Sequence, residues 1–299
     1  MNEGILAIDV GGTDIKYALM DRERKIYEQG KVPTPHDGLE DYLSTLESIF
    51  RKYDGVSGIA MSVPGVIDMD KGICHNGGAL LYIKEFPLAD ELGKRCGVPV
   101  TVMNDAKAAA LAEVGSGVLS DVDDGIVILF GTGIGGALVK DKKLHCGKHQ
   151  SAGEFSNILI GEELKQESLW AWHSSVLTLC AKAAQVKGVP PEEMNGVKVF
   201  DLAEAGDPDI LKVLDEFTIE IAKMISNLQF IYDPERFAIG GGISSRPIFI
   251  ESIRKYVNLI GSQFPEGFPT AQIEACRYRN DANLIGALEN FMDRFPEAQ

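Results

Sequence analysis

Two short glycine loops, each set between strand-forming runs, constrain this chain more than any other feature. The first is Asp9-Val10-Gly11-Gly12-Thr13, with Gly4-Ile5-Leu6-Ala7-Ile8 before it and Ile15-Lys16-Tyr17-Ala18-Leu19-Met20 after it. Glycines without side chains let backbone amides come close to a phosphate. Thr13 adds a hydroxyl donor, Lys16 a cation, and Asp9 a carboxylate suited to a hydrated magnesium ion. The second loop is Gly131-Thr132-Gly133-Ile134-Gly135-Gly136, preceded by the apolar run 125–130 and followed by Ala137-Leu138-Val139. Gly131, Gly133 and Gly136 spell GxGxxG, but the dinucleotide fingerprint needs a helix next, and here a strand and the turn at 140–143 follow. Neither GxxxxGKS nor GxxxxGKT occurs, which excludes the P-loop NTPases. For the first loop alone, an ordinary glycine turn with a capping Asp is the competing reading. Two loops of one design, about 120 residues apart, point to a duplicated architecture in which two domains clasp one nucleotide.

Hydrophobic spacing sketches the rest. It predicts three strands over about 4–32, a helix over 38–53 with Leu39, Tyr42, Leu43, Leu46, Ile49 and Phe50 at helical spacing, and a strand over 56–63 stopped by Pro64-Gly65. A helix over 87–96, a strand over 98–103 and a helix from Asn104 or Asp105 to about 115 follow, then the strand 125–130. Helices are expected near 168–187, 208–230, 247–261 and 281–294, and a strand at 236–239 runs into Gly240-Gly241-Gly242. Asp105 stands where the helix N-terminus favours an ionised carboxylate able to take a proton or orient a hydroxyl. Capping by Asn104 or Asp105 is the plainer job for the same residues.

Charge and cysteine usage narrow the function. The 299 residues carry a net charge of −15, which argues against nucleic acid but not against a nucleotide that arrives with its metal. No long apolar run, signal peptide or lipidation signature occurs, so no membrane role and a cytoplasmic location are expected. Five scattered cysteines read as reduced thiols.

DVGGT at 9–13, Asn104-Asp105-Ala106, GTGIGG at 131–136, Ala152-Gly153-Glu154 and Gly240-Gly241-Gly242 together resemble, in order and spacing, the ROK family of sugar kinases. The resemblance implies an α/β chain with the actin-like ATPase (ribonuclease H-like) fold, two domains with a cleft between them, and usually a homodimer. The small domain would span 1–117 plus a returning helix in 281–299, and the large one 118–280. ATP and Mg²⁺ are implied, with a hexose as substrate. On this likeness Asp105 is the base, and Gly65, Asn76, Asn104 and Glu154 border or hold the sugar. Asp9 places Mg²⁺ indirectly. Gly11, Gly12, Thr13, Lys16, Thr132 and Gly133 attend the phosphates, and Gly241 and Gly242 the adenosine. A solvated loop acid at Glu154 and an ordinary turn at Asn76 are the alternatives. Trp170 and Trp172 suit core or interface packing better than sugar stacking.

The sequence departs from the family at one point. Many members carry a zinc-binding histidine three residues after this glutamate, and a cysteine cluster soon afterwards. Here the position is Asn157, and 158–179 lack cysteine. His145, Cys146, His149, His173 and Cys180 have no closed zinc spacing, so no zinc is expected. The GGAL (77–80), AGEF (152–155) and GGGISSRP (240–247) segments look most like the β-glucoside kinase branch, which implies phosphorylation of O6 on the non-reducing glucose of a cellobiose-like sugar. A glucokinase or N-acetylmannosamine kinase is the nearest alternative. A sugar-responsive regulator of the same family would carry a helix-turn-helix before the first strand, where three residues stand here. A non-catalytic sugar-binding protein is the other alternative, and an intact Asp105 argues against it.

Overall fold

The computed structural model describes residues 4–161, 163–279 and 281–296. The domain limits expected at 1, 280 and 299 therefore lie outside the described residues. The chain forms two compact units, one ending at Gly115 and resuming with the last helix, the other running over Ser116–Arg279.

In the first unit β1 (Gly4–Val10) is buried beyond Gly4, as its almost unbroken apolar run requires of a strand covered on both faces. It pairs antiparallel with β2 (Asp14–Met20), which pairs antiparallel with β3 (Ile26–Pro33). Helix α1 (Leu39–Phe50) turns Tyr42, Leu43, Leu46 and Ile49 into the core. The chain returns as β4 (Val56–Val63), parallel to β1. A small antiparallel sheet follows, of β5 (Val66–Asp68), β6 (Ile73–Gly77) and β7 (Leu80–Phe86). Then come α2 (Leu88–Cys96), β8 (Val100–Asn104), parallel to β4, and α3 (Asp105–Ser116). The main sheet reads β3-β2-β1-β4-β8.

The second unit repeats that plan. β9 (Gly125–Phe130), β10 (Ile134–Lys140) and β11 (Lys143–His145) form an antiparallel meander. Helices α4 (Trp170–Ser174), α5 (Val176–Lys187), α6 (Gly196–Glu204) and α7 (Pro208–Tyr232) intervene. β12 (Arg236–Gly240) joins parallel to β9, and after α8 (Pro247–Gly261), β13 (Ile273–Ala275) joins parallel to β12. The order β11-β10-β9-β12-β13 matches the first sheet strand for strand, so the duplication expected from the two glycine loops is present. Its core gathers Phe130, Trp170, Phe200, Phe217, Phe237 and Phe249. Last, α9 (Ala282–Arg294) packs on β1, β4 and β8 of the first unit.

Several elements differ from the sequence expectation. The helix expected over 168–187 is two, broken at Ser175, whose hydroxyl accepts from the Thr178 N–H and starts α5 afresh. β5, β6, β7, β11, β13 and α6 were not anticipated. The strands among them run to seven residues at most and include several of three, too short for a periodic signal. Asn76 and Gly77, expected as a turn, end strand β6, and the turn itself falls on Gly78 and Ala79.

Candidate active site

The loop between β1 and β2 presents Gly12 and Thr13 to solvent. Its ends are pinned: Gly11 N–H donates to the Asp14 carbonyl at 3.0 Å, Thr34 N–H to the Thr13 carbonyl at 2.9 Å, and the Thr34 hydroxyl to the Gly11 carbonyl at 2.7 Å. Asp9 lies just before this loop, 7 % exposed. Its Oδ1 accepts from Ser62 Oγ of β4 at 3.1 Å and from Asn283 Nδ2 of α9 at 2.9 Å. Burial pushes the Asp9 carboxyl above its ordinary value, while the hydrogen bonds from Asn283 and Ser62 and the charge of Lys16, its cross-strand partner, pull it back.

The β8–α3 junction divides two jobs between neighbours. Asn104, 8 % exposed, caps α3 by accepting from the Lys107 N–H at 3.2 Å, and its amide donates to the Gly65 carbonyl at 2.9 Å. The cap is thus Asn104, and half-buried Asp105 receives the Ala106 N–H at 2.8 Å on Oδ1. Gly65 has φ +98°, and a Cβ there would stand 2.6 Å from the Gly78 nitrogen and 2.8 Å from Asn76 Oδ1. Only glycine fits this approach. Asn76 spends its side-chain oxygen on the Val66 and Gly78 N–H groups, at 3.4 and 3.1 Å, so it braces Gly65 from the other side.

In the second unit the β9–β10 loop is closed by Gly131 N–H donating to the Gly133 carbonyl at 3.0 Å. Ser156 stands beneath it, accepting from the Ile134 N–H at 2.8 Å and donating back to the Ile134 carbonyl at 3.0 Å. Ser156 belongs to a 3₁₀ turn, Phe155–Asn157, headed by half-buried Glu154 and ending in exposed Asn157. Phe155 and Phe130 each meet Trp170 edge-on at 6.2 Å, so Trp170 is core, whereas Trp172 is half exposed. A hollow of about 430 Å³ opens beside the loop, walled by Gly131, Thr132, Leu177, Val197, Gly242 and Arg246 among others. Its size and apolar sides suit a nucleoside. Gly242 lines it. Gly241, at φ +89°, lies against the Phe130 carbonyl, where any Cβ would overlap it. Arg246 is held by Asp201 at 2.7 Å and Glu204 at 2.9 Å.

The expected residues divide between the units: Asp9, Gly11, Gly12, Thr13, Lys16, Gly65, Asn76, Asn104 and Asp105 belong to the first, and Thr132, Gly133, Glu154, Gly241 and Gly242 to the second. Thr34, Ser62, Asn283 and the α6 wall of the hollow are not among the residues expected from the sequence. The α6 start was open to detection, since Asn195 caps it by accepting from the Lys198 N–H at 3.0 Å. Among the described residues, no three His, Cys, Asp or Glu side chains gather as a metal-holding set. The Asp9 carboxylate beside the first glycine loop is an oxygen acceptor of the kind that suits a hydrated magnesium ion.

The family model of the ROK family matches residues 5–293. The β-glucoside kinase of Klebsiella pneumoniae is 31 % identical over 291 residues, covering 96 % of this chain and 95 % of its own. A ROK family protein from Streptococcus pneumoniae TIGR4, solved in complex with sucrose, superposes with a TM-score of 0.89 at 31 % identity, over 97 % of this chain and 98 % of that one. A ROK family glucokinase from Streptomyces griseus, solved with glucose and AMPPNP, gives 0.80 at 26 % identity, over 96 % and 98 %. The doubled five-stranded sheets, the paired glycine loops and these likenesses agree: the chain belongs to the ROK family and has the actin-like ATPase fold.

Proposed function

We propose that this sugar kinase transfers the terminal phosphoryl group of ATP to O6 of the non-reducing glucose of a β-glucoside such as cellobiose. The observation that carries the chemistry is the division of labour at the start of α3, where Asn104 caps the helix and Asp105 keeps a carboxylate at its N-terminus. Asp105 takes the O6 proton as the oxygen attacks phosphorus. Gly65, Asn76, Asn104 and Glu154 hold the sugar. Asp9 orients a hydrated magnesium ion, and Gly11, Gly12, Thr13, Lys16, Thr132 and Gly133 attend the phosphates. Gly241 shapes, and Gly242 walls, the nucleoside hollow. ATP with Mg²⁺ supplies the phosphoryl group and part of the charge neutralisation. The residues do the positioning on which such transfer mainly depends.

Asn157 supports the β-glucoside specificity. A histidine held by zinc would be a rigid donor at the anomeric oxygen, whereas an exposed asparagine leaves room for an aglycone. The likeness to a β-glucoside kinase points the same way. We further infer a zinc-free homodimer in the cytoplasm. Among the described residues no helix is long and apolar enough to cross a membrane.

An ATP-coupled assay of cellobiose, gentiobiose, glucose and N-acetylmannosamine, with elemental analysis after chelator dialysis, tests this reading. Cellobiose is expected to exceed glucose in kcat/KM at least tenfold, a difference of only about 1.4 kcal/mol. Glucose favoured tenfold, or one zinc per chain, would sink the β-glucoside assignment. No ADP release with any of the four sugars would favour a regulator or a non-catalytic binder.

A further inference from the structure

Asp9 is held from a direction that its own neighbourhood in the sequence does not reveal. We propose that Asn283, the second residue of α9, is a positioning residue for phosphoryl transfer: together with Ser62 it clamps Oδ1 of Asp9 and so fixes the carboxylate that orients the nucleotide's hydrated magnesium ion. The proposal rests on the reading of Asp9 given above.

Three observations carry it. Both donors, Ser62 Oγ at 3.1 Å and Asn283 Nδ2 at 2.9 Å, fall on Oδ1, and neither engages Oδ2. A carboxylate tied twice through one oxygen cannot swing about its Cβ–Cγ bond, and its second oxygen keeps one direction. Magnesium demands near-ideal octahedral geometry and retains several waters, so a group that reads those waters must be set accurately. Second, Asp9 is buried, and an ionised carboxylate in such a place requires directed donors. Third, Asn283 is itself fixed. One turn on, Gly286 lies with its backbone against the Ala108 carbonyl of α3, so closely that a Cβ would overlap it. Leu284 and Leu288 are buried, and Glu289 pairs with Arg24. The helix can neither slide nor turn without losing these contacts. Because α9 seats on α3 through Gly286 and on β1 through Asn283, one rigid element sets Asp9 relative to the helix that Asp105 opens.

The test uses the full chain with Asn283→Leu, close in size but unable to donate, and with Ser62→Ala, a small change that removes the other donor. Calorimetry of ADP binding with and without Mg²⁺ gives a readout apart from turnover, and kinetics are measured against Mg²⁺ concentration. Each variant is expected to lose roughly 10- to 100-fold in the magnesium-dependent part of ADP affinity and in kcat at limiting Mg²⁺, as outer partners of metal sites do. Metal-free ADP affinity and the KM for sugar should stay within twofold. A folded Asn283→Leu or Ser62→Ala protein that keeps wild-type magnesium dependence, while Asp9→Asn loses it, would overturn the proposal. So would a loss of activity matched by the loss of folded protein alone. If Asp9→Asn itself keeps wild-type magnesium dependence, the reading of Asp9 fails, and the proposal with it.

Discussion

Replacing Asp105 by asparagine keeps the shape of the β8–α3 junction and removes one charge. The cap survives, because it is Asn104 that accepts the Lys107 N–H. The bond from the Ala106 N–H survives as well, since an amide oxygen can receive it in place of Oδ1. What folding loses is the attraction between a carboxylate and the positive end of α3, about 0.3–1 kcal/mol. At about 2–4 °C per kcal/mol, the unfolding midpoint should fall by no more than a few degrees. Turnover loses far more. A positioned base is worth roughly 10²–10⁴ in rate, or about 2.7–5.4 kcal/mol at 1.36 kcal/mol per decade. The barrier change therefore exceeds the stability change several-fold, and kcat should drop at least a hundredfold with sugar affinity nearly unchanged. Coupled ADP release gives kcat, calorimetry the sugar affinity, and thermal unfolding the control. Asn104→Ala should invert the pattern: it deletes the cap, at about 0.5–2 kcal/mol, and the donor to the Gly65 carbonyl. A folded Asp105→Asn protein within tenfold of wild-type kcat would remove Asp105 from the mechanism.

Gly12→Val and Gly133→Val should each raise the KM for ATP at least tenfold and that for sugar less. A Cβ at Gly133 already stands 3.0 Å from Ser156 Oγ, and branched carbons would fill the approach to the backbone amides; an unchanged KM for ATP in either folded variant would show that loop to be misassigned. Cys74 is 1 % exposed, and burial pushes its thiol up to about 12, so at pH 8 only roughly one molecule in ten thousand carries the reactive thiolate there. Mass spectrometry after iodoacetamide treatment should find Cys74 unmodified until the chain is unfolded, and rapid native labelling would contradict that environment.

What was legible in the sequence is what short stretches decide. The two glycine loops stand out because a continuous apolar strand must stop where its backbone turns, and Val10 and Phe130 mark those stops. Asn104 and Asp105 were legible as a helix start, but not as two separate jobs; the choice of cap depends on Gly65, whose carbonyl lies 39 residues back and occupies the Asn104 amide. Ser62 and Asn283 were not legible at all. Their partner Asp9 lies 53 and 274 residues away, and no local pattern marks either residue. Helix α6 hid because Asn195-Gly196 reads as a turn before Val199 and Phe200 reveal the buried face.

The return of α9 to β1 also fixes an order of events during synthesis. Phe291 lies against Gly58 of β4, and Asn283 reaches Asp9, so the apolar face of the first sheet is uncovered until the last helix has left the ribosome. Between them lies a contiguous unit of about 160 residues with its own sheet and core. At roughly 5–20 residues per second that unit takes about 8–30 s to emerge. It can close on itself while the earlier sheet still waits with that face open. The first sheet, begun before the second unit, is thus completed after it, and its uncovered face is open to aggregation throughout that interval.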